Sequence, residues 1–362
     1  MVRECTPPSK VDLRSLGLKP FSKLFDECYD FPRAELFFVL LMECAIKLLS
    51  MEGLCNQRFE SSDRLFHYLG LKTLEESTWH CNKLLERSFR ILLKSRWHWR
   101  RVFLAIDYND IEYRGLDPLM VFDAMMMRGI QYQHVKVLRY ATIAIVAPRF
   151  KFTLAVIPVT VLDKPETVVE RLLGMVPSVL RVKGVLMDKG FYNANVFKTM
   201  DRMDINYLVP AKKTGVLKLT YRVAEVTEKW YWKHMMNRGN RNVYTATVYL
   251  EEKGLDDYIG MVTNKDMTGM DVRLLFEAYR LRWNIENSYK EAQSLRAKTN
   301  SKNHAYRILI YAISHLLVNL HILAKRISKA TIAKDDMKLI IELLLTLKPT
   351  TKRITKKLVV TT

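Results

Sequence analysis

Cysteine is scarce in this chain and badly spaced for chemistry. Its five cysteines, Cys5, Cys28, Cys44, Cys55 and Cys81, all lie in the first quarter of 362 residues, and none forms a close Cys-x-x-Cys pair. That spacing excludes a zinc knuckle and a disulfide framework, and an odd, unpaired set suits a reducing interior. The N-terminus, Met-Val-Arg-Glu-Cys-Thr-Pro-Pro, lacks the apolar region of a secretory signal. A membrane span is lacking too. The apolar run at 36–49 is short and carries Glu43 and Lys47, while the run at 308–324 contains His315, Asn319 and His321, so both read as buried helices. We therefore expect a soluble protein of the cell interior, cytoplasmic, with no membrane partner.

Other absences narrow the chemistry. There is no Gly-x4-Gly-Lys loop to cradle phosphates, so a nucleotide cofactor is not expected. Neither a Gly-x-Ser-x-Gly turn nor a Cys/His pairing supports acyl hydrolysis, and His134, His304 and His315 show no metal-ligand spacing. No internal repeat is present. Acidic residues are the last shortage: 38 Asp+Glu against 58 Lys+Arg leave a net charge of +20. A surplus of that size suits a polyanion, and phosphate neutralisation dominates nucleic-acid affinity. Apolar content of 49% is ordinary, and the length argues for two or three domains.

Residues 1 to about 97 read as short helices. Pro32 opens an apolar helical run at 34–50, Ser61-Ser-Asp-Arg precedes another helix, and Leu69-Gly70-Leu71 breaks the chain before a longer helix at 73–93. Short helices joined by a Gly-containing turn fit a helix-turn-helix-like DNA module. Trp97-His98-Trp99-Arg100-Arg101 marks a junction, either as aromatic packing or as a backbone-contacting patch. From Val102 the period changes. Val102-Phe-Leu-Ala-Ile106 is a continuous apolar run ending in Asp107, the pattern of a strand buried on both faces, and Val182-Lys-Gly-Val-Leu-Met187 ends in Asp188 in the same way. A hairpin around Pro148, helices at 165–175 and 194–203 and a strand at 205–209 accompany them. The stretch 211–261 is charged and rich in β-like alternation, and reads as a β insertion. Helices at 272–298 and 305–327 follow. A last helix at 335–347 leads into a basic tail at 348–362 that is expected to be mobile and to touch nucleic acid.

A carboxylate closing a buried strand has few structural excuses, because charge there is costly unless paired or metal-bound. If the strands ending in Asp107 and Asp188 are neighbours, the two acids converge beyond the carboxyl ends of a sheet, where ligands collect. Asp110 is the rival to Asp107 as first ligand. The helix at 272–298 carries a third carboxylate. On a 100° wheel Leu274, Ala278, Leu281, Ile285, Tyr289 and Ala292 form a core stripe, while Tyr279, Arg282, Glu286, Lys290 and Gln293 share a second face. The ordinary reading of that face is a solvated one laced by i,i+4 ion pairs. Converging carboxylates instead invite hard divalent cations, and two such ions can drive phosphodiester displacement. Trp230-Tyr231-Trp232-Lys233-His234, with Arg238 and Arg241, interleaves aromatics and cations; Trp230 and Trp232 fit either base stacking or core packing.

These residues also carry a resemblance. Ala105-Ile-Asp107-Tyr-Asn-Asp110-Ile-Glu-Tyr-Arg-Gly115, Leu186-Met-Asp188-Lys-Gly-Phe-Tyr192 and Tyr279-x2-Arg282-x3-Glu286 resemble the three motifs of DDE insertion-sequence transposases. The nearest pattern is the cut-and-paste branch with a Tyr-Arg-Glu-Lys signature and a β insertion, in its archaeal-type form. The likeness spans about 102–325. It implies an α/β fold, an RNase H-like mixed sheet flanked by helices, with a β-strand insertion and an N-terminal all-helical domain. It also implies two Mg²⁺ (or Mn²⁺) ions held by Asp107, Asp188 and Glu286, and cleavage at transposon ends. Tyr279 and Arg282 would then sit near end phosphates and a flipped base. The pattern expects lysine seven residues after the glutamate, where this chain has Gln293; either Lys290, which shares the face, stands in for it, or the phosphate contact is weaker. The implied segments are a DNA-binding helical region (1–97), a core in two parts (98–210 and 262–330), the insertion (211–261), and a terminal helix with basic tail (331–362). The implied partners are double-stranded DNA, as terminal inverted repeats and target, and a second copy of the chain on DNA. A structure-specific nuclease on the same core, or an inactive DNA-binding descendant, are the alternatives.

Overall fold

The computed structural model describes residues 18–29, 34–57, 62–94, 101–128, 131–236, 243–254, 257–267 and 271–328. The expected helix at 335–347, the basic tail, the aromatic junction at 97–100, and Arg238 and Arg241 lie outside them.

Five helices come first: α1 (Leu18–Tyr29), α2 (Ala34–Lys47), α3 (Met51–Gln57), α4 (Asp63–Gly70) and α5 (Leu74–Lys94). Four strands follow, β1 (Arg101–Glu112), β2 (Val121–Arg128), β3 (Gln131–Ala147) and β4 (Phe150–Val159). The chain then alternates through α6 (Pro165–Gly174), β5 (Arg181–Met187), α7 (Ala194–Arg202), β6 (Tyr207–Pro210) and α8 (Gly215–Thr227). Strands β7 (Tyr231–Met236), β8 (Tyr244–Gly254) and β9 (Asp257–Thr263) precede the helices α9 (Arg273–Arg280), α10 (Trp283–Gln293) and α11 (His304–Ser328). Two compact units result, one of Met1–Trp97 with Glu291–Thr362, the other of His98–Lys290.

The first unit is helical. α5 starts where local chemistry says it should: the Thr73 hydroxyl accepts from the Glu76 amide at 3.1 Å, and the Glu76 carboxylate accepts from the Thr73 amide at 2.8 Å. This reciprocal cap satisfies two otherwise orphaned donors. α11 packs on α5, α2 and α4, with Asn319 donating to the Ser88 hydroxyl at 3.0 Å in the buried seam. Among the described residues α11 alone is long and apolar enough to cross a membrane, and 89% of that stretch is buried inside the protein. It is the buried helix expected from its internal histidines and asparagine. Its companions are the N-terminal helices, so the segment 262–330 is divided between the two units.

The second unit is a mixed sheet with helices, the α/β class expected. Its strands run in the order β2-β3-β1-β5-β6-β9-β8-β7, with β4 paired to β3. β1 and β5 are parallel neighbours, and β3 lies antiparallel on the other side of β1. The apolar runs that predicted buried strands are buried toward their carboxyl ends, where Leu104, Ala105, Ile106, Val185, Leu186 and Met187 have no exposed surface, while Phe103 and Val182 are partly buried and Lys183 is exposed. The β3–β4 hairpin turns through Pro148 and Arg149, the latter in the left-handed region at φ 57°. Residues 215–227, inside the stretch read as β-rich, are helical instead. Thr214 caps this α8, its hydroxyl accepting from the Leu217 amide at 3.3 Å, and Leu217, Tyr221 and Ala224 make its buried face. The strands after α8 join the main sheet, because β9 pairs with β6.

Candidate active site

The two aspartates are brought together by register. β1 does not end at Asp107, as the apolar run suggested; it continues to Glu112 against β3. What ends there is its parallel partner, since the last β1–β5 pair is Ile106 with Met187. Asp107 and Asp188 are the next residue on each strand, so both stand at the carboxyl end of the same parallel pair. Asp188 then caps a single 3-10 turn, Lys189–Phe191, accepting from the Gly190 amide at 2.9 Å. Tyr108 and Phe191 stack beside the pair with ring centres 4.6 Å apart. Asp110 is engaged elsewhere, since both of its oxygens hold Arg139, at 2.8 Å each. That bidentate pair leaves Asp107 as the acid facing Asp188.

The expected single helix at 272–298 is two helices. Between α9 and α10 the amides of Leu281, Arg282, Asn284 and Ile285 bond to the carbonyl three residues back, rather than four. Tighter turns advance the wheel by more than 100° per residue, so the α9 side of the projected core stripe slips. Leu274 is 54% exposed and Leu275 and Phe276 are buried in its place, while Ile285 and Ala292 are buried as expected. Arg282 sits in the break itself.

Arg282 joins the acids. Its Nη1 donates to Asp107 Oδ2 at 3.0 Å and its Nη2 to Glu286 Oε1 at 2.6 Å. Arg282 is only 8% exposed, so this is not the solvated ladder of the ordinary reading. Tyr279 lies under it, 5.4 Å from guanidinium carbon to ring centre. Two further contacts fix α10: Tyr289 Oη donates to the Asp107 carbonyl at 3.0 Å, and Asn284 Nδ2 to the Ala147 carbonyl at 2.9 Å.

Electrostatics follow from this packing. Burial pushes the Asp107 carboxyl up to about 7 against the pull of Arg282, with Asp188 and Glu286 adding to the rise. Burial raises Asp188 as well, opposed by the Gly190 amide and Arg282. For Arg282, burial disfavours the charge, but Tyr279, Asp107 and Glu286 outweigh it and keep the guanidinium above its usual value. The buried Asp107 and the half-exposed Glu286 thus share one buried cation, with Asp188 beside them adding negative charge.

By donor chemistry that set suits a hard divalent cation. Its arrangement is another matter. Among the described residues no group of three or more His, Cys, Asp or Glu side chains is placed to hold a metal ion. Arg282 lies between two of these acids, with one nitrogen on Asp107 Oδ2 and the other on Glu286 Oε1.

Of the remaining expected residues, Lys290 and Gln293 are exposed on α10. Trp230 and Trp232 are elsewhere. They belong to the β7 edge, five strands from β1, which at about 4.8 Å per strand is roughly 24 Å away. Trp230 lies against Tyr221 with ring centres 6.3 Å apart. Trp232 donates to the Lys229 carbonyl at 2.8 Å, and the Lys229 ammonium lies 5.2 Å from its ring centre. Asn284 has no pattern of its own in the sequence. Gly190 and Tyr289 stand there only as members of the motifs, Tyr289 also on the core stripe, with no role given to either, though a tyrosine on a core stripe brings a hydroxyl that needs a partner.

Comparison with known proteins follows the same lines. The fold is similar to that of the piggyBac transposase synaptic complex with hairpin DNA, solved by cryo-EM, at TM-score 0.51 and 11% identity over 96% of this chain and 84% of that one. No curated protein sequence matches. Residues 114–320, more than half of the chain, match the family described as Transposase DDE domain. The chain belongs to that family. The matched span includes Asp188 and Glu286 and begins seven residues after Asp107.

Proposed function

We propose that this protein is a DNA transposase that cuts phosphodiesters at the ends of its element and joins the freed ends to target DNA. Within the family it is read as a member of the cut-and-paste branch with the Tyr-Arg-Glu-Lys signature and a β insertion, in its archaeal-type form. The observation carrying this reading is the β1–β5 register, which sets Asp107 beside Asp188, with Glu286 tied to Asp107 through Arg282. Asp107, Asp188 and Glu286 would hold two Mg²⁺ or Mn²⁺ ions, which when bound activate the attacking oxygen and stabilise the leaving one.

The chain's own residues have separable roles. The Gly190 amide aims Asp188, and Tyr289 holds α10 on the backbone of Asp107. Arg282, backed by Tyr279, has the planar fork that suits a DNA phosphate. Lys290 and Gln293 extend that contact along α10. Trp230 and Trp232, with Lys229, offer a stacking surface for an unpaired base away from the acids. The helical region at 1–97 recognises terminal inverted repeats, and because both ends must be cut, two copies act together on DNA. Water is the first nucleophile and the freed 3′-hydroxyl the second.

The test is a donor DNA carrying the inverted repeats that flank the coding region, incubated with protein, Mg²⁺ and a target plasmid. Excised and joined product is expected. Cut DNA that never joins would reduce the reading to a nuclease, and absence of any cut at the repeats would contradict it.

A further inference from the structure

The cation that the three acids call for is already present, and it is a side chain. Arg282 reaches carboxylates on two different elements, Asp107 on β1 and Glu286 on α10, with one nitrogen for each. Its side chain and that of Asp107 are each 10% exposed, so water contributes little to stabilising either charge. A buried carboxylate left without its partner is strongly disfavoured, which makes Asp107 depend on this guanidinium for as long as nothing else neutralises it, whereas Glu286, with its side chain 44% exposed, also faces water. Arg282 also sits at the joint between α9 and α10, in the tightened turns at 281–285, where its amide donates to the Tyr279 carbonyl and its carbonyl accepts from the Ile285 amide, each at 2.9 Å.

We propose that Arg282 is a latch: without DNA it occupies the acids in place of a divalent cation, and metal loading requires its displacement. The inference rests on the reading of Asp107, Asp188 and Glu286 as metal-holding residues. Asp107 Oδ2 and Glu286 Oε1, which accept from the guanidinium, are not open to an ion, and one positive charge beside the acids lowers their attraction for two more. Leaving Arg282 in place thus keeps the site weak for metal.

Manganese binding to the DNA-free protein, read from loss of the free-ion EPR signal, tests this without any turnover. Arg282→Gln removes the charge and is expected to bind Mn²⁺ about tenfold more tightly than the parent, within the range usual for coupled binding. Arg282→Lys keeps a cation that cannot fork between both acids, and is expected to fall between the two; it decides the matter if the glutamine variant does not fold. Adding Asp107→Asn to each protein identifies the site. Asp107-dependent binding that is equal or weaker in the Arg282 variants would overturn the latch while leaving the metal site intact. Absence of Asp107-dependent binding in every protein would overturn the metal site, and the latch with it.

Discussion

A carboxylate can do chemistry only if something holds it at the required angle, and for Asp188 that holder is a residue with no side chain. A Cβ built on Gly190 would lie 2.9 Å from Asp188 Oδ1, closer than real Cβ contacts come. Gly190→Ala is therefore expected to swing the carboxylate away and lower DNA cleavage by about tenfold or more, with the thermal unfolding curve little changed. Cleavage at the parental rate would show that Asp188 is not held there for chemistry. Tyr289 acts one step removed, through the backbone of Asp107. Its replacement by phenylalanine removes one hydrogen bond and should cost about 1 kcal/mol in denaturant unfolding; an unshifted midpoint would mean that the bond contributes nothing. At this scale the aspartates were legible, because apolar runs ending in an acid need no tertiary information. Arg282 was only half legible. The wheel put it on the Glu286 face, but its bond to Asp107 spans 175 positions and no local pattern encodes it.

Elements differ in how much of their ending is written locally. α5 and α6 begin at a capping box and at Pro165, both readable in advance. α8 had its signals too, Thr214 as cap and Leu217, Tyr221 and Ala224 at helical spacing, but they sit next to strongly alternating strands that set the reading of the whole stretch. The break between α9 and α10 lacks proline and glycine, so its cause lies in packing and bonding on either side, which sequence periodicity does not report. The β3–β4 turn offers a test of local strain. Arg149 holds φ at 57°, a conformation that costs residues with a Cβ. Arg149→Gly should raise stability by about 0.5–1 kcal/mol, seen as a higher urea midpoint. A lower midpoint would show that the Arg149 side chain contributes more than the strain costs.

Over the whole molecule, the surplus of +20 was the plainest feature of the composition, and it set the expectation of a nucleic-acid partner before any motif was found. The division into units was less visible, because α11 is distant in sequence from the helices it joins. That helix buries His315, whose pKa burial, with a smaller contribution from Arg296, holds down to about 3. An unfolded histidine takes its proton near 6.5, so protonation favours the unfolded chain throughout that interval. The stability contributed by neutral His315 is complete above about pH 6.5 and should fall by about 1.4 kcal/mol per pH unit on descending toward pH 3. His315→Gln should flatten that part of the profile relative to the parent. Parallel profiles would mean that His315 is already accommodated as a cation.

The central claim is that Asp107, Asp188 and Glu286 act as one site. Single-turnover nicking of DNA carrying the element's ends, in Mg²⁺ or Mn²⁺, tests it most directly when the parent is compared with Asp107→Asn, Asp188→Asn and Glu286→Gln. Each variant should still bind the DNA and should cut it about a thousandfold more slowly or worse. Any one of them cutting at the parental rate would contradict the account.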